Sequence, residues 1–263
     1  MGKYSDQLPQ LQGKVLLSDG GLETTLIFHD GYELPYFAAF ELLRDEQGYH
    51  HLKHYFHDYL KLARKYHSGF LLESCTWRAS SDWGKRLGHS EAELTELNRK
   101  AIDMLLELRE EFESADTPIV ISGCIGPRGD GYRPEQRISA TEAARYHLAQ
   151  IETLRDAGAD LISGYTIPTI AEALGITRAA QQAAIPVVIS YTLETDGSLP
   201  SGESLQQAIE KLDEADTLDA GDPQELAAHY RELQGGFKQL TVLGGCCGTD
   251  HRHVAAIGQA CLG

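Results

Sequence analysis

The amino-acid sequence predicts an α/β fold, a parallel (β/α)8 barrel of the TIM type, as a single domain over residues 1–263. Three observations predict it. Short apolar runs recur along the chain, amphipathic helical patterns lie between them, and small or polar residues follow the runs where the strands stop. Strands that alternate with helices form a parallel sheet, and a site assembled from many strand ends is typical of a barrel.

Six continuous apolar runs predict the strands, because strands buried on both faces read as unbroken apolar segments. No Gly-x-Gly-x-x-Gly motif opens the first helix, so an open dinucleotide-binding sheet has no support. The runs span residues 14–21, 69–77, 118–127, 160–168, 186–194 and 240–247.

The predicted helices carry their own start and stop signals. The pattern over 90–113 opens with Ser90 and has Glu93 three residues later, which is the arrangement of a capping box. The pattern over 141–158 ends at Gly158, a residue type that favours a helix C-cap. Further helices are predicted over 48–67, 169–184 and 222–236.

The number of predicted strands is six, whereas a closed barrel of this type has eight. Between the last two strands the chain reads as helix, acidic turn and helix, with no apolar run to return to the sheet. The sequence therefore predicts that a segment for about two βα units is lacking between Glu210 and Asp222.

Composition excludes several classes of function. The formal net charge is -16 with 24% charged residues, and no basic stripe is present, so we expect no nucleic-acid partner. No apolar run reaches the length of a membrane span, and no apolar segment near Met1 has the pattern of a signal peptide. Five cysteines, an odd number, argue against a disulfide framework and predict a cytoplasmic protein.

Two adjacent cysteines, Cys246 and Cys247, follow the last apolar run between pairs of glycines. Thiolates are ligands that suit Zn²⁺, and the glycines permit a backbone kink that turns both sulfurs toward one ion. The alternative is that both are inert, packed thiols.

Polar side chains at the other strand ends are candidates for substrate binding. Asp19 precedes Gly20 directly after the first strand, where a carboxylate can bind an amino group or can simply stabilise the turn. Glu73, Thr76 and Trp77 follow the second strand and are expected to line the same mouth, although Trp77 can also pack between strands and helices.

Taken together, these motifs resemble the homocysteine S-methyltransferase family. The most specific is "GGCCGT" at 244–249, and the strand ends "DGGLETTL" at 19–26 and "ESCTWRAS" at 73–80 resemble the family's first and second. "GCIGPRGD" at 123–130 and "IPTIAEALG" at 167–175 extend the match over most of the chain.

The resemblance implies an enzyme that transfers a methyl group to the thiol of homocysteine, or of a close analogue, to give methionine. It implies that Cys246 and Cys247 are zinc ligands and that Asp19 with Gly20 binds the amino acid. The partners would be a small-molecule thiol and a methyl donor, with betaine, S-methylmethionine, S-adenosylmethionine and folates all open. A homo-oligomer also remains an open alternative.

This chain departs from the family pattern at two places. The family's third zinc cysteine, usually preceded by Asn in a sixth strand, has no counterpart, since the sequence contains no Asn-Cys pair. At the end of the fourth strand, Tyr165 stands where the family often carries a Glu that binds the substrate amine. A second hypothesis follows: a shortened, non-catalytic barrel that binds a small molecule or partner without a complete zinc site.

Overall fold

A computed structural model describes residues 2–133, 138–212, 231, 241–244 and 249–262. Within them the structure is α/β, with six parallel strands in one curled sheet. The strands are β1 (Leu16–Ser18), β2 (Gly69–Glu73), β3 (Ile119–Ile125), β4 (Leu161–Ile167), β5 (Val187–Tyr191) and β6 (Val242–Leu243). Each lies inside one of the six apolar runs, so the predicted strands are confirmed.

The order of the strands in the sheet is that of a barrel wall. They run β5-β4-β3-β2-β1-β6, so the first five follow the chain without reversal and β6 pairs with β1. A doubly wound sheet would reverse its order near the centre. Among the described residues β5 and β6 are the two edges of the sheet. The segment predicted to be lacking, Glu210 to Asp222, lies largely outside the described residues and stays a prediction.

The helices begin and end where the sequence signals lie. Ser90 and Glu93 form the predicted capping box of α4 (Glu91–Phe112), and Ser139 and Glu142 form another at the start of α5 (Ala140–Ala157). Gly158 caps α5 with a left-handed φ of 112°. The helices are α1 (Leu22–Thr24), α2 (Glu46–Lys65), α3 (Ser81–Arg86), α4 (Glu91–Phe112), α5 (Ala140–Ala157), α6 (Ile170–Gln182), α7 (Leu205–Leu212) and α8 (His251–Leu262). The helix predicted over 222–236 lies outside the described residues.

Alternation along the strands divides the buried side chains into two cores. Leu17, Phe70 and Ile121 belong to the large core that includes the helices. Their neighbours Leu16, Leu71, Val120 and Leu161 point to the opposite face and form a small core with Leu8 and Tyr4 of the N-terminal segment. This small core fills the inner face of the curl near the amino ends of the strands.

The inner face changes character toward the carboxyl ends of the strands. Two residues beyond Leu71 and Val120, it carries Glu73 and Ser122, which are paired in the register of β2 and β3. Ser163 of β4 donates to, or accepts from, Ser122 at 2.7 Å. The apolar layer therefore gives way to a polar layer, and the polar layer forms the floor of the cavity described below.

In the part of the chain that the structure describes, no helix is both long and apolar enough to span a bilayer.

Candidate functional site

A cavity of about 360 Å³ opens at the carboxyl ends of the strands. Its inner part is formed by strand-end residues: Asp19, Gly20, Glu73, Ser74, Cys75, Trp77, Cys124, Tyr165 and Thr166. Its mouth carries the aromatic side chains Phe28, Phe37 and Tyr132. Five residues predicted from sequence, Asp19, Gly20, Glu73, Trp77 and Tyr165, therefore meet at one cavity.

Asp19 is a buried carboxylate at the end of β1. The hydroxyl of Tyr55 on α2 donates to its Oδ2 and to the carbonyl of Gly20, each at 3.1 Å. Burial raises the pKa of Asp19 well above its usual value; the charge of Glu73 raises it further, and the Tyr55 hydrogen bond opposes this. The structure thus places a carboxylate where its charge is poorly compensated.

Gly20 is required by a close approach of two chain segments. A Cβ at this position would lie 2.9 Å from the carbonyl oxygen of Thr249 and 2.9 Å from the hydroxyl of Tyr59. The next amide, that of Gly21, donates to the same Thr249 carbonyl at 3.0 Å. The end of β1 is therefore pinned against the segment that precedes α8.

Glu73 lies in the polar layer at the floor of the cavity. Its Oε1 accepts hydrogen bonds from the hydroxyls of Tyr165 at 2.9 Å and Ser163 at 3.1 Å. Its Oε2 is buried and has no hydrogen-bond partner among the described residues. Burial raises the pKa of Glu73, although the hydroxyl hydrogen bonds oppose the shift. Tyr165, in turn, has a pKa well above its usual value because of burial and of the Glu73 charge.

The charged groups on the cavity wall share one sign. Among the described lining residues, Asp19, Glu23 and Glu73 are acidic, and none is Lys, Arg or His. Two of the carboxylates, Asp19 and Glu73, are more than nine-tenths buried. A buried charge is costly unless it is paired, so this arrangement favours a ligand that brings a cationic group.

Trp77 forms part of the outer wall. Its indole N–H donates to the hydroxyl of Thr166 at 3.1 Å, which joins the end of β2 to the end of β4. A Cβ at Gly126 would lie 2.5 Å from the carbonyl oxygen of Trp77, so only glycine lets the segment after β3 approach this closely. The expectation that Trp77 lines the mouth fits this position.

Thr76 does not line the cavity, contrary to expectation. It is completely buried, donates from its hydroxyl to the carbonyl of Cys124 at 2.6 Å, and bonds the hydroxyl of Ser74 at 2.6 Å. Glu73, Cys75 and Trp77 line the cavity, whereas the Thr76 hydroxyl is engaged in hydrogen bonds behind the cavity wall.

Two buried thiols, Cys75 and Cys124, also line the cavity. Burial raises the pKa of Cys75 to about 12 and that of Cys124 well above its usual value, with nearby carboxylates adding to both shifts. Both are therefore thiols, not thiolates, at neutral pH. Within the described ranges, no three His, Cys, Asp or Glu side chains are grouped so that they could hold a metal ion.

Cys246 and Cys247, the predicted zinc ligands, lie outside the described residues. The described residues on either side of them lie at the cavity end of β1. Gly244 packs against Ser18, and Thr249 contacts Gly20 and accepts the hydrogen bond from Gly21.

The aromatic mouth was not predicted from sequence. Phe28 lies in a π-helical turn (Thr25–His29), Phe37 in a short 3-10 turn (Pro35–Phe37), and Tyr132 in the segment after β3. All three are more than half exposed. No periodicity marks them, because each comes from an irregular segment whose position depends on the sheet beneath it.

The curled parallel sheet, with a cavity at the carboxyl ends of its strands, defines an α/β domain of the barrel type. The chain belongs to the homocysteine S-methyltransferase family, whose model matches residues 16–221. The family expected from the motifs is therefore confirmed.

Curated relatives agree with this assignment. Homocysteine S-methyltransferase YbgG of Bacillus subtilis is 35% identical over 103 residues, which is 35% of this chain and 33% of that protein. Homocysteine S-methyltransferase of Escherichia coli is 30% identical over 152 residues, 53% of this chain and 46% of that protein. The matched parts thus span a third to a half of these two relatives.

Solved structures share the fold. The oxidized form of the homocysteine methyltransferase MmuM from Escherichia coli superposes with a TM-score of 0.79 at 20% identity, over 96% of this chain and 97% of that chain. A metallated form of the same protein gives a TM-score of 0.76 at 18% identity, over 96% and 98% of the two chains.

Proposed function

We propose that this chain transfers a methyl group to the thiol of homocysteine, or of a close thiol analogue, to give methionine. The observation that carries the proposal is the acidic cavity at the strand ends of a domain of this family. An amino-acid thiol brings an ammonium group, which is the complement that Asp19 and Glu73 lack.

Different residues of the cavity would bind different parts of the substrate. Asp19 with Gly20 would hold the ammonium group at the end of β1, and Glu73 adds a second negative charge at the floor. The Tyr165 hydroxyl donates a hydrogen bond to Glu73, so its oxygen would be left to accept a hydrogen bond from the substrate. Trp77 would shape the wall beside them, and Thr76 would support that wall from behind.

Cys246 and Cys247 would hold a zinc ion. The chemistry of this donor pair fits, because thiolates suit Zn²⁺, and the described residues that flank the pair lie against β1 beside Asp19. Zinc, when bound, would keep the substrate sulfur ionised at neutral pH. The third cysteine of the family has no counterpart in the sequence.

A second candidate is a shortened barrel that binds a small molecule or a partner without catalysis. The favouring observation is that β5 and β6 are the edges of the described sheet, and that the inner face is open there: Val188, in register with Ser163, is 46% exposed. The lacking segment between Glu210 and Asp222 would account for both features.

The test is to express this chain, measure zinc per chain, and follow methionine formation with each of the four donors. Zinc-dependent turnover that is lost in Cys246→Ser and Cys247→Ser supports methyl transfer. Binding of homocysteine without turnover, in a chain that holds no zinc, supports the second candidate. Tightly held zinc that survives both substitutions would contradict the assignment of the ligands. We also propose that the chain acts in the cytoplasm, where its thiols stay reduced.

A further inference from the structure

We propose that Arg78 is a positioning residue that holds the outer wall of the cavity in place for the methyl donor. It does not line the cavity and acts through Trp77, which does. The part of the inference that concerns methyl transfer rests on the proposed function. The part that concerns the position of Arg78 rests only on contacts of the described residues.

Arg78 lies between the only two tryptophans of the chain. The central carbon of its guanidinium is 3.8 Å from the ring centroid of Trp77 and 4.0 Å from that of Trp83. A guanidinium is planar and can stack face to face on an aromatic ring, whereas a Lys ammonium contacts such a ring only as a compact point charge. The three side chains therefore form a stack with the cation in the middle.

The Arg78 guanidinium is buried, with the residue 5% exposed. Among the described residues no ion pair joins it to a carboxylate, although the charges of Asp130 and Glu23 oppose the effect of burial on its pKa. One terminal nitrogen donates to the carbonyl of Gly129 at 3.2 Å, whereas Nε is buried with no partner in the described part of the chain. Burial lowers its pKa to about 10, which leaves it charged at neutral pH. An apolar side chain would serve packing alone better, because an unpaired buried charge is costly.

The stack joins the separate segments that build the outer wall. The indole N–H of Trp77 donates to Thr166 near the end of β4, and that of Trp83 donates to the carbonyl of Pro127 after β3 at 3.2 Å. The ring of Tyr36 packs on Trp83, with centroids 5.6 Å apart. Because Arg78 contacts both indoles, it is the group that couples these segments to one another.

Two of these segments are strained, and the stack touches both. Tyr36 and Phe37 have left-handed φ values of 55° and 60°, and Thr166 has a φ of 56°. Non-glycine residues keep such conformations only where their surroundings enforce them. Tyr36 is held by Trp83 and Thr166 by Trp77. Loosening the stack would let both turns relax and would move Phe37 away from the mouth.

The buried carboxylates of Asp19 and Glu73 suit the ammonium group of the amino-acid thiol, so in this proposal the methyl donor lies against the outer wall. In the transfer, the electron pair of the substrate thiolate forms the new S–C bond. The bond from the methyl carbon to the donor's heteroatom breaks, and its pair stays on that heteroatom. The thiol proton leaves to solvent. The donor must present its methyl group in line, and a misplacement of about 1 Å costs on the order of 100-fold in rate.

The experiment compares Arg78→Met with Arg86→Met as a matched control. Arg86 also packs on Trp83, with its central carbon 4.6 Å from the ring centroid, but it is exposed and has no contact with Trp77. The measurements are acrylamide quenching of tryptophan fluorescence, calorimetric affinity for S-methylmethionine and for homocysteine, the urea unfolding midpoint, and KM and kcat for both substrates.

We expect Arg78→Met to increase quenching and to weaken S-methylmethionine binding, or raise its KM, by about tenfold. Homocysteine affinity should stay unchanged and the urea midpoint should not fall, because Met fills the space without a buried charge. Arg78→Lys should match Arg78→Met in quenching and in donor affinity, because an ammonium is not planar and cannot fill the space between two indoles as a guanidinium does. Guanidinium ion, added to Arg78→Ala well below denaturing concentrations, should restore part of the donor affinity. Arg86→Met should resemble the wild type throughout.

A lower urea midpoint in Arg78→Met with unchanged quenching and donor affinity would overturn the inference and leave a purely structural role. Equal effects of Arg78→Met and Arg86→Met would overturn it as well. If the wild type transfers no methyl group from any donor, the proposed function fails, and the quenching comparison still decides the role of Arg78. If turnover persists with an unchanged donor KM in Arg78→Met, the proposed function stands and the inference about Arg78 fails.

Discussion

Replacing Glu73 by Gln tests two effects of the buried carboxylate separately: its cost to folding stability and its proposed contribution to substrate binding. The shape of the side chain is kept, and the amide oxygen can still accept from Tyr165 and Ser163, which donate to Oε1 in the wild type. The amide nitrogen takes the place of Oε2, which has no partner to lose. What the substitution removes is the negative charge at the floor of the cavity.

The expected loss is in binding of the amino-acid thiol. A hydrogen bond to a charged group contributes about 1.5–3 kcal/mol, so homocysteine affinity should fall by about tenfold to a hundredfold. Calorimetry with homocysteine measures this, and the analogue 4-mercaptobutyrate, which lacks the amino group, should bind the wild type and Glu73→Gln equally. Glu110→Gln, on the exposed side of α4, is the matched control.

Stability should change in the opposite direction, and only at higher pH. Burial raises the pKa of Glu73 in the folded state, so its contribution to stability is present below the pKa of the unfolded chain, about 4.3, and is lost as pH rises through the folded value. Glu73→Gln should therefore match the wild type in acid and equal or exceed it at neutral pH. A variant that is less stable at pH 7, or that binds homocysteine like the wild type, would refute the reasoning.

Three further predictions concern other parts of the chain. Gly20→Ala brings a Cβ to 2.9 Å from the carbonyl oxygen of Thr249; it should cost about 1–3 kcal/mol in urea unfolding, and an unchanged midpoint would contradict the close approach. Asp160→Ala leaves Arg109, its partner at 2.8 Å, half-buried and unpaired far from the cavity, and it also removes the acceptor of the Tyr4 and Ile121 amides. It should cost about 3–5 kcal/mol without changing homocysteine affinity, and a loss below 1 kcal/mol would contradict this. Cys75, whose pKa is raised to about 12, should resist alkylation by iodoacetamide at pH 8 in the folded protein but react in urea. Mass spectrometry measures the alkylation, and rapid alkylation of the folded protein would contradict this prediction.

Much of the fold follows from local sequence. Unbroken apolar runs identified all six strands. A strand that is covered on both faces carries apolar side chains at successive positions, so it appears in the sequence as a continuous apolar run. The capping box at Ser90 and Glu93 and the C-cap at Gly158 depend on contacts within four residues, so the local sequence suffices to predict them. Asp19 and Glu73 could be assigned to one mouth because parallel strands end at the same edge.

The sequence by itself therefore determined the six strands, the helices α2, α4, α5 and α6, the family and the edge of the sheet where the site lies. Only the tertiary structure decided which side chains meet there. Glu73 and Tyr165 are 92 residues apart, and their contact depends on the register of three strands. The stack of Trp77, Arg78 and Trp83, and the aromatic mouth above it, depend on irregular turns whose conformations are set by packing. No local pattern encodes such contacts, because their energies arise only when distant segments are brought together.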